Sequence, residues 1–171
     1  MRLNKPTPNN YVDIEKFSQY NRKESWTMSE NRKLKQNIPV IGDVFLIKFE
    51  GTGNEQNGWR PGVVFQNNIG NAHSPNIIAL PLTSAIKKST LPTHVIVYAN
   101  DSGLLRDSMV LCENPERVSK ARIGKHITRL SDEYMKKIAA ASLLATSAVA
   151  FLTKDDLIEI WKQSLQFNCV A

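Results

Sequence analysis

The stretch Asn54-Glu55-Gln56-Asn57-Gly58-Trp59-Arg60-Pro61-Gly62-Val63-Val64-Phe65-Gln66-Asn67-Asn68 joins a polar, glycine-bracketed segment to an apolar, β-branched run. This pattern predicts a flexible loop followed by a buried strand. Pro61 fixes its own φ angle and biases Arg60 towards an extended backbone. The stretch therefore predicts a loop that delivers one arginine, with its side chain aimed, to the first residue of a strand.

Short apolar runs on both sides of this stretch predict the rest of a β domain. They are residues 40–49, 63–66, 76–82, 93–98 and 108–112, and Gly, Pro, Asn or Ser separates each from the next. Many short strands with such breaks are typical of a small antiparallel barrel. Residues 118–124 indicate a strand-to-helix transition. The expected fold class is mainly β (α+β), with a small antiparallel barrel of SH3-like type.

Two capping patterns predict helices after the barrel. Ser131 precedes two acidic residues, which are favourable in the first turn of a helix. Thr153 with Asp156 repeats the pattern, so a last helix is expected. The apolar run 138–152 is too short to span a bilayer, which takes about 20 residues. We expect three segments: a leader over 1–38, the barrel domain with its helix over 39–152, and an extra C-terminal helix and tail over 153–171.

The composition is that of one globular domain with appendages. The 171 residues have ordinary apolar and charged fractions, and the formal net charge is +6. A positive net charge is compatible with attraction to nucleic acid. Cys112 and Cys169 are too few for a disulfide framework, which favours a reducing cytoplasm. The N-terminus lacks the apolar core of a signal peptide, so we expect neither export nor membrane association.

Several motifs, in order along the chain, carry a resemblance to a known family. They are Gly53-x-Glu55-Gln56, Gly58-x-Arg60-Pro61, Gln66-Asn67-Asn68, Asn71-Ala72-His73-Ser74-Pro75-Asn76, Pro81-Leu82-Thr83-Ser84, Leu91-Pro92-Thr93-His94-Val95, Asp107-Ser108-Met109-Val110-Leu111 and Ser131-Asp132-Glu133. They resemble the MazF/PemK-type toxins, which are ribosome-independent mRNA endoribonucleases, over roughly residues 42–152. The resemblance implies a compact β-barrel with helical additions, a homodimer, and a small antitoxin that inserts across the RNA groove. It also implies cleavage of single-stranded RNA to 2′,3′-cyclic phosphate and 5′-hydroxyl ends.

Two residues match the catalytic pair of that family. RNA is cleaved when its 2′-hydroxyl attacks the neighbouring phosphorus, so a ribonuclease must move two protons and stabilise the charged phosphate. Arg60 matches the catalytic arginine, and its forked guanidinium suits charge stabilisation. Thr83, at the end of the predicted third strand, matches the catalytic threonine and can donate one more hydrogen bond. Relatives often give the arginine acid/base work, but a free guanidinium, with a pKa above about 12, is a poor base. Without the match, a lone loop arginine is more often a solvated surface residue.

Six further residues are expected to contact RNA: Asn54, Glu55, Gln56, Trp59, Ser84 and His94. Glu55 and Gln56 match the family's Glu-Gln pair, where the carboxylate suits orienting Arg60 and the amide suits reading an unpaired base. Asn54 stands where many relatives carry serine. Trp59 is unusual beside a catalytic position, and it either stacks a base or packs against the barrel.

The leader supplies most of the net positive charge. Residues 1–38 hold eight Lys or Arg against four Asp or Glu, and residues 39–171 hold fourteen against twelve. Residues 1–9 are polar with two prolines, so disorder is expected there, with short helices after them. The leader is either a solvated, partly helical extension or a cationic arm that touches RNA or folds over its own domain.

Other functions remain open from the sequence. No His/Asp/Glu cluster has metal-ligand spacing, so neither a metal nor another cofactor is expected. The CcdB toxins share the architecture and poison DNA gyrase without cutting RNA. They lack the Gly-x-Arg-Pro arginine and end in a Trp-containing tail, whereas this chain ends in Phe167-Asn168-Cys169-Val170-Ala171. A degenerate toxin that binds RNA or a partner without cutting is a further alternative.

Overall fold

The computed structural model describes residues 38–51, 56–86 and 91–168. Its strands are β1 (Asp43–Glu50), β2 (Asn57–Val64), β3 (Asn76–Thr83), β4 (His94–Val97), β5 (Ser108–Leu111), β6 (Glu116–Ser119) and β7 (Ile123–Arg129). Its helices are α1 (Asn68–His73), α2 (Ala99–Ser102), α3 (Asp132–Thr146) and α4 (Lys154–Asn168), with 3₁₀ turns at Lys120–Arg122 and Ala148–Phe151. The expectations for the leader concern residues that lie outside the described ranges.

The strands form one antiparallel sheet. Its order is β4-β5-β3-β2-β1-β7, and β6 pairs with the first half of β3. The mainly β fold class with C-terminal helices is confirmed. The sheet is not closed into the expected barrel, because within the described ranges β4 pairs only with β5 and β7 pairs only with β1.

The two faces of the sheet bury separate apolar clusters, because successive residues of a strand point to opposite sides. On β1, Val44 joins the cluster that packs against α3, whereas Ile47 and Phe49 join a cluster on the other face. Gly62 of β2 belongs to this second face, where an added Cβ would lie 2.8 Å from both Ile47 Cδ1 and Phe49 Cζ. The glycine after Pro61 is therefore required by close packing between β1 and β2.

Strand β2 begins earlier than the sequence predicts. Its ladder with β1 extends to the pair Glu50–Asn57, so Arg60 lies inside a strand and not at its first residue. Gly58, inside this ladder opposite Phe49, has a φ of +82°, a backbone conformation that favours glycine. Pairing with β1 extends β structure into residues whose own composition predicts a loop.

The strand-to-helix transition expected over residues 118–124 is wrong. Strand β6 ends at Ser119, the 3₁₀ turn follows, and β7 begins at Ile123. Ser119 caps the turn by accepting a hydrogen bond from the Ala121 N–H. Both strands are short and polar, so their conformation depends on pairing with β3 and β1.

Both predicted helix starts are confirmed. Ser131 is the N-cap of α3, and its hydroxyl accepts from the Tyr134 N–H. Before α4, Asp156 Oδ2 accepts from the Thr153 N–H at 2.8 Å, and Thr153 Oγ1 accepts from the Asp156 N–H at 3.2 Å. This reciprocal arrangement is a capping box. None of the described helices combines the length and apolar character that a membrane span requires.

Candidate active site

Arg60 is held by its own hairpin arm. Its Nη1 donates to Gln56 Oε1, and its Nη2 donates to the Asn57 carbonyl oxygen at 2.8 Å. The remaining donor, Nε, is buried and has no hydrogen-bond partner among the described residues. The guanidinium has five N–H groups, so two contacts fix its plane and leave donors for an anion.

Thr83 is the last residue of β3, as the sequence predicts. Its Oγ1 accepts from the Ala85 N–H at 3.2 Å, and it pairs across the ladder with Met109 of β5. Because that contact uses the oxygen as acceptor, the hydroxyl hydrogen is available for donation. Ser84 follows directly and is exposed to solvent.

The register of β2 and β3 sets Arg60 and Thr83 on the same face of the sheet. Val64 pairs with Ala79 and Gly62 pairs with Pro81, the last pair of this ladder. Arg60 and Thr83 each lie two residues beyond a member of this last pair, and residues two apart along a strand share a face. Opposed residues of antiparallel strands share a face, so both side chains leave the sheet on the face of Gly62.

Trp59 leaves the sheet on the opposite face from Arg60, since neighbours along a strand alternate. It lies opposite Lys48 of β1. Its ring packs over Gly124 of β7, where an added Cβ would lie 3.0 Å from the ring atom Cζ3. The sequence places Trp59 beside the arginine, but the pleat separates the two side chains.

His94 is engaged inside the protein through both ring nitrogens. Nδ1 accepts from the Leu91 N–H at 3.3 Å, so a neutral ring donates through Nε2 to Glu113 Oε1 at 2.9 Å. The side chain of His94 is 12% exposed. Glu113, the partner in this bond, lies 19 residues from His94 along the chain. An RNA contact by His94 stays a prediction.

Three of the other residues that are expected to contact RNA are Asn54, Glu55 and Gln56. Asn54 and Glu55 lie outside the described residues. Gln56 is described, and its side-chain oxygen is used by Arg60. The sequence gives no sign of the contact between Gln56 and Arg60, or of the packing of Trp59 on Gly124. Both depend on how β1, β2 and β7 pair.

The described residues bear on two other chemistries, metal binding and a thiol nucleophile. Within the described ranges, no three His, Cys, Asp or Glu side chains form a group that could hold an ion. Cys112 is buried, and this burial raises the pKa of its thiol from 9.0 to about 11. A thiol in this environment stays protonated near neutral pH and is a poor nucleophile.

Sequence comparisons place the chain among characterised proteins. A family described as "PemK-like, MazF-like toxin of type II toxin-antitoxin system" matches residues 41–144. Endoribonuclease EndoA of Bacillus subtilis (strain 168) is 40% identical over 111 residues, which make up 64% of this chain and 96% of that protein.

Solved structures agree with this fold. An endoribonuclease in complex with its cognate antitoxin, from Mycobacterial species, is 26% identical with a TM-score of 0.53, and the match covers 64% of this chain and 95% of that one. MazF from Deinococcus radiodurans has a TM-score of 0.57 at 20% identity, covering 64% and 97% of the two chains. The family match spans the sheet and most of α3, with both Arg60 and Thr83 inside it. The chain belongs to the PemK-like, MazF-like toxin family of type II toxin-antitoxin systems.

Proposed function

We propose that Arg60 and Thr83 carry the cleavage chemistry of this RNA-cleaving toxin. The observation that supports the assignment is that Arg60 and Thr83 share one face of the sheet, each two residues beyond the last pair of the β2–β3 ladder. The substrate is single-stranded mRNA, cut at selected sequences without a metal ion. Both the family and the 40% identity to an endoribonuclease favour this activity.

The reaction forms a bond between the 2′ oxygen and phosphorus and breaks the bond between phosphorus and the 5′ oxygen. One proton leaves the 2′-hydroxyl and one arrives at the 5′ oxygen, so the products carry a 2′,3′-cyclic phosphate and a 5′-hydroxyl. Negative charge develops on the non-bridging phosphate oxygens along the way. Preorganised donors aimed at such oxygens usually contribute the largest share of the rate enhancement.

Arg60 supplies the charged donors. Because Gln56 and the Asn57 carbonyl fix two edges of the guanidinium, its remaining N–H groups are oriented before RNA arrives. A fixed, forked cation matches two phosphate oxygens at once. Thr83 adds one neutral donor from the neighbouring strand, and its oxygen is already oriented by the Ala85 N–H.

The partners follow from the family. The chain belongs to a toxin-antitoxin system, and a related endoribonuclease has been solved with its cognate antitoxin, so a protein inhibitor is its partner. A homodimer and a cytoplasmic location, where mRNA is available, are part of the proposal. Phosphate contacts alone carry no sequence information, so residues of the β1–β2 loop would choose the cut site.

The test is cleavage of a long unstructured RNA by purified protein, with sequencing of the new 5′ ends. Arg60→Ala should lose about 10²–10³-fold in rate, the usual effect of removing one such donor, and Thr83→Val a similar amount. Arg106→Ala is a matched control, because that arginine is exposed in the turn before β5. Addition of EDTA should leave the wild-type rate unchanged.

Two results would refute the assignment. One is full activity in either Arg60→Ala or Thr83→Val. The other is intact RNA after incubation with folded wild-type protein, together with inhibition of DNA gyrase. Thermal unfolding of each variant distinguishes a lost catalytic group from a lost fold.

A further inference from the structure

Trp59 has no place in the chemistry of the cleaved phosphate. Its side chain leaves β2 on the face away from Arg60, and it is 56% exposed. An indole held in a strand and open to water on one side is a large apolar surface with little to cover it. The residues around the ring indicate which kind of ligand could cover it.

The backbone of β7 forms a floor for the ring. An added Cβ at Gly124 would lie 3.0 Å from Trp59 Cζ3 and 3.0 Å from the carbonyl oxygen of Leu46. Any larger residue would therefore push the indole outward. The ring is supported on its inner side by Gly124 and exposed on its outer side, which is the arrangement of a stacking platform for a nucleobase.

Positive charge is concentrated in the segment of the sequence that contains Gly124. Residues 117–131 hold five Lys or Arg and no Asp or Glu, whereas the other residues from 39 onward hold nine against twelve. This segment contains β7, the last strand in the order of the described sheet. A cationic segment next to an exposed aromatic ring is the usual composition of a surface that binds single-stranded nucleic acid.

Two cations of this segment are already in ion pairs. Arg122 contacts Glu50 at 2.8 Å, and Arg129 contacts Asp43 at 2.8 Å. Lys125 follows the floor residue directly and is exposed.

On β1, Lys48 lies opposite Trp59 on the same face, and its only described ion pair, with Glu50, is a loose 3.7 Å. Lys48, on the face of Trp59, and Lys125, next to Gly124 along β7, are therefore the candidate phosphate contacts.

We propose that Trp59 stacks an unpaired RNA base outside the cleaved step, while Lys48 and Lys125 contact the adjoining phosphates. The proposal rests on the proposed function, since it adds an RNA contact on the face of β2 opposite Arg60. Stacking on an indole tolerates any base, so this subsite adds affinity more than sequence choice.

Fluorescence of the ring tests the stack directly. The chain has three tryptophans, so Trp26→Phe and Trp161→Phe leave Trp59 as the sole indole. Arg60→Ala in the same chain keeps the RNA intact. A 12-nucleotide oligouridine should quench the emission, and an abasic oligomer with the same backbone should not. Equal quenching by both oligomers, or none by either, overturns the proposal.

Affinity provides the second measurement. In the Arg60→Ala chain, Trp59→Ala should weaken binding of the oligouridine by about 5-fold or more, and Trp59→Phe by less. Trp161→Ala is the matched control, because that indole is similarly exposed on α4. Lys48→Ala should lower the slope of log affinity against log salt by about 1.

The outcomes separate this inference from the proposed function. Wild-type cleavage with an unchanged affinity in Trp59→Ala overturns the stack and leaves the nuclease assignment standing. If the wild-type protein leaves RNA intact but Trp59→Ala weakens RNA binding, the nuclease assignment is overturned and the stack stands. A Trp59→Ala effect confined to inhibition by the antitoxin also overturns the stack, because the ring would then contact a protein.

Discussion

Arg60 and Thr83 belong to the same face of the sheet, because each lies two residues beyond a member of Gly62–Pro81, the last pair of the β2–β3 ladder. The ladder ends at Gly62–Pro81, and Thr83 pairs instead with Met109 of β5. Past this point β2 and β3 are no longer joined by the ladder, while Arg60 stays paired with Ile47 of β1 and Thr83 with Met109 of β5.

Gln56 is expected to act on catalysis through Arg60. Gln56→Leu removes the acceptor for Nη1, so the guanidinium loses one of its two contacts, and kcat should fall about 10- to 100-fold from misplacement. Gln56→Glu keeps an acceptor and should retain most of the rate. Single-turnover and steady-state cleavage give kcat and KM separately. A rise in KM with unchanged kcat would show instead that Gln56 mainly contacts RNA.

The bond between His94 and Glu113 should contribute to stability. Glu113→Leu leaves the His94 Nε2–H in a mostly buried site without its acceptor, which should cost about 1–3 kcal/mol in the free energy of unfolding. Glu113→Gln keeps an acceptor oxygen and should cost less. Urea unfolding measures both variants. Equal midpoints for the two variants would contradict a stabilising role for this contact.

Gly62 should tolerate no side chain while Ile47 is present. The Cβ of Gly62→Ala would meet Ile47 Cδ1 at 2.8 Å inside a fully buried cluster, and such overpacking costs about 1–3 kcal/mol. Ile47→Val removes that methyl group, so the double variant should be more stable than the two single effects predict. Simple additivity of the two unfolding free energies would show that the contact is relieved elsewhere.

Cys112 should be unreactive in the folded protein. Because burial raises the pKa of its thiol to about 11, Cys169→Ser protein should not react with a thiol reagent at pH 8 until it is unfolded. The raised pKa also means that the unfolded chain loses this proton first as pH rises. Stability should therefore fall between about pH 9 and 11 and be unaffected below pH 9. Rapid labelling of the native protein at pH 8 would contradict this description.

Local patterns in the sequence were sufficient for several features. Ser131 and Thr153 mark helix starts because a cap depends on residues within one turn. Thr83 ends its strand where the apolar run ends. The ordered motifs around Arg60 identify the family, because each is recognisable from residues that are neighbours along the chain.

Long-range pairing settled the rest. The length of β2 and the existence of β6 and β7 depend on partner strands, since these segments are too polar to be recognised alone. Pairing with β1 carries β2 back to Asn57, and the pleat of that longer strand sends Trp59 and Arg60 to opposite faces. Joining His94 to Glu113 requires β4 to lie beside β5. Composition and spacing describe a residue's neighbours along the chain, whereas a side chain's direction and its distant partners exist only after the strands have paired.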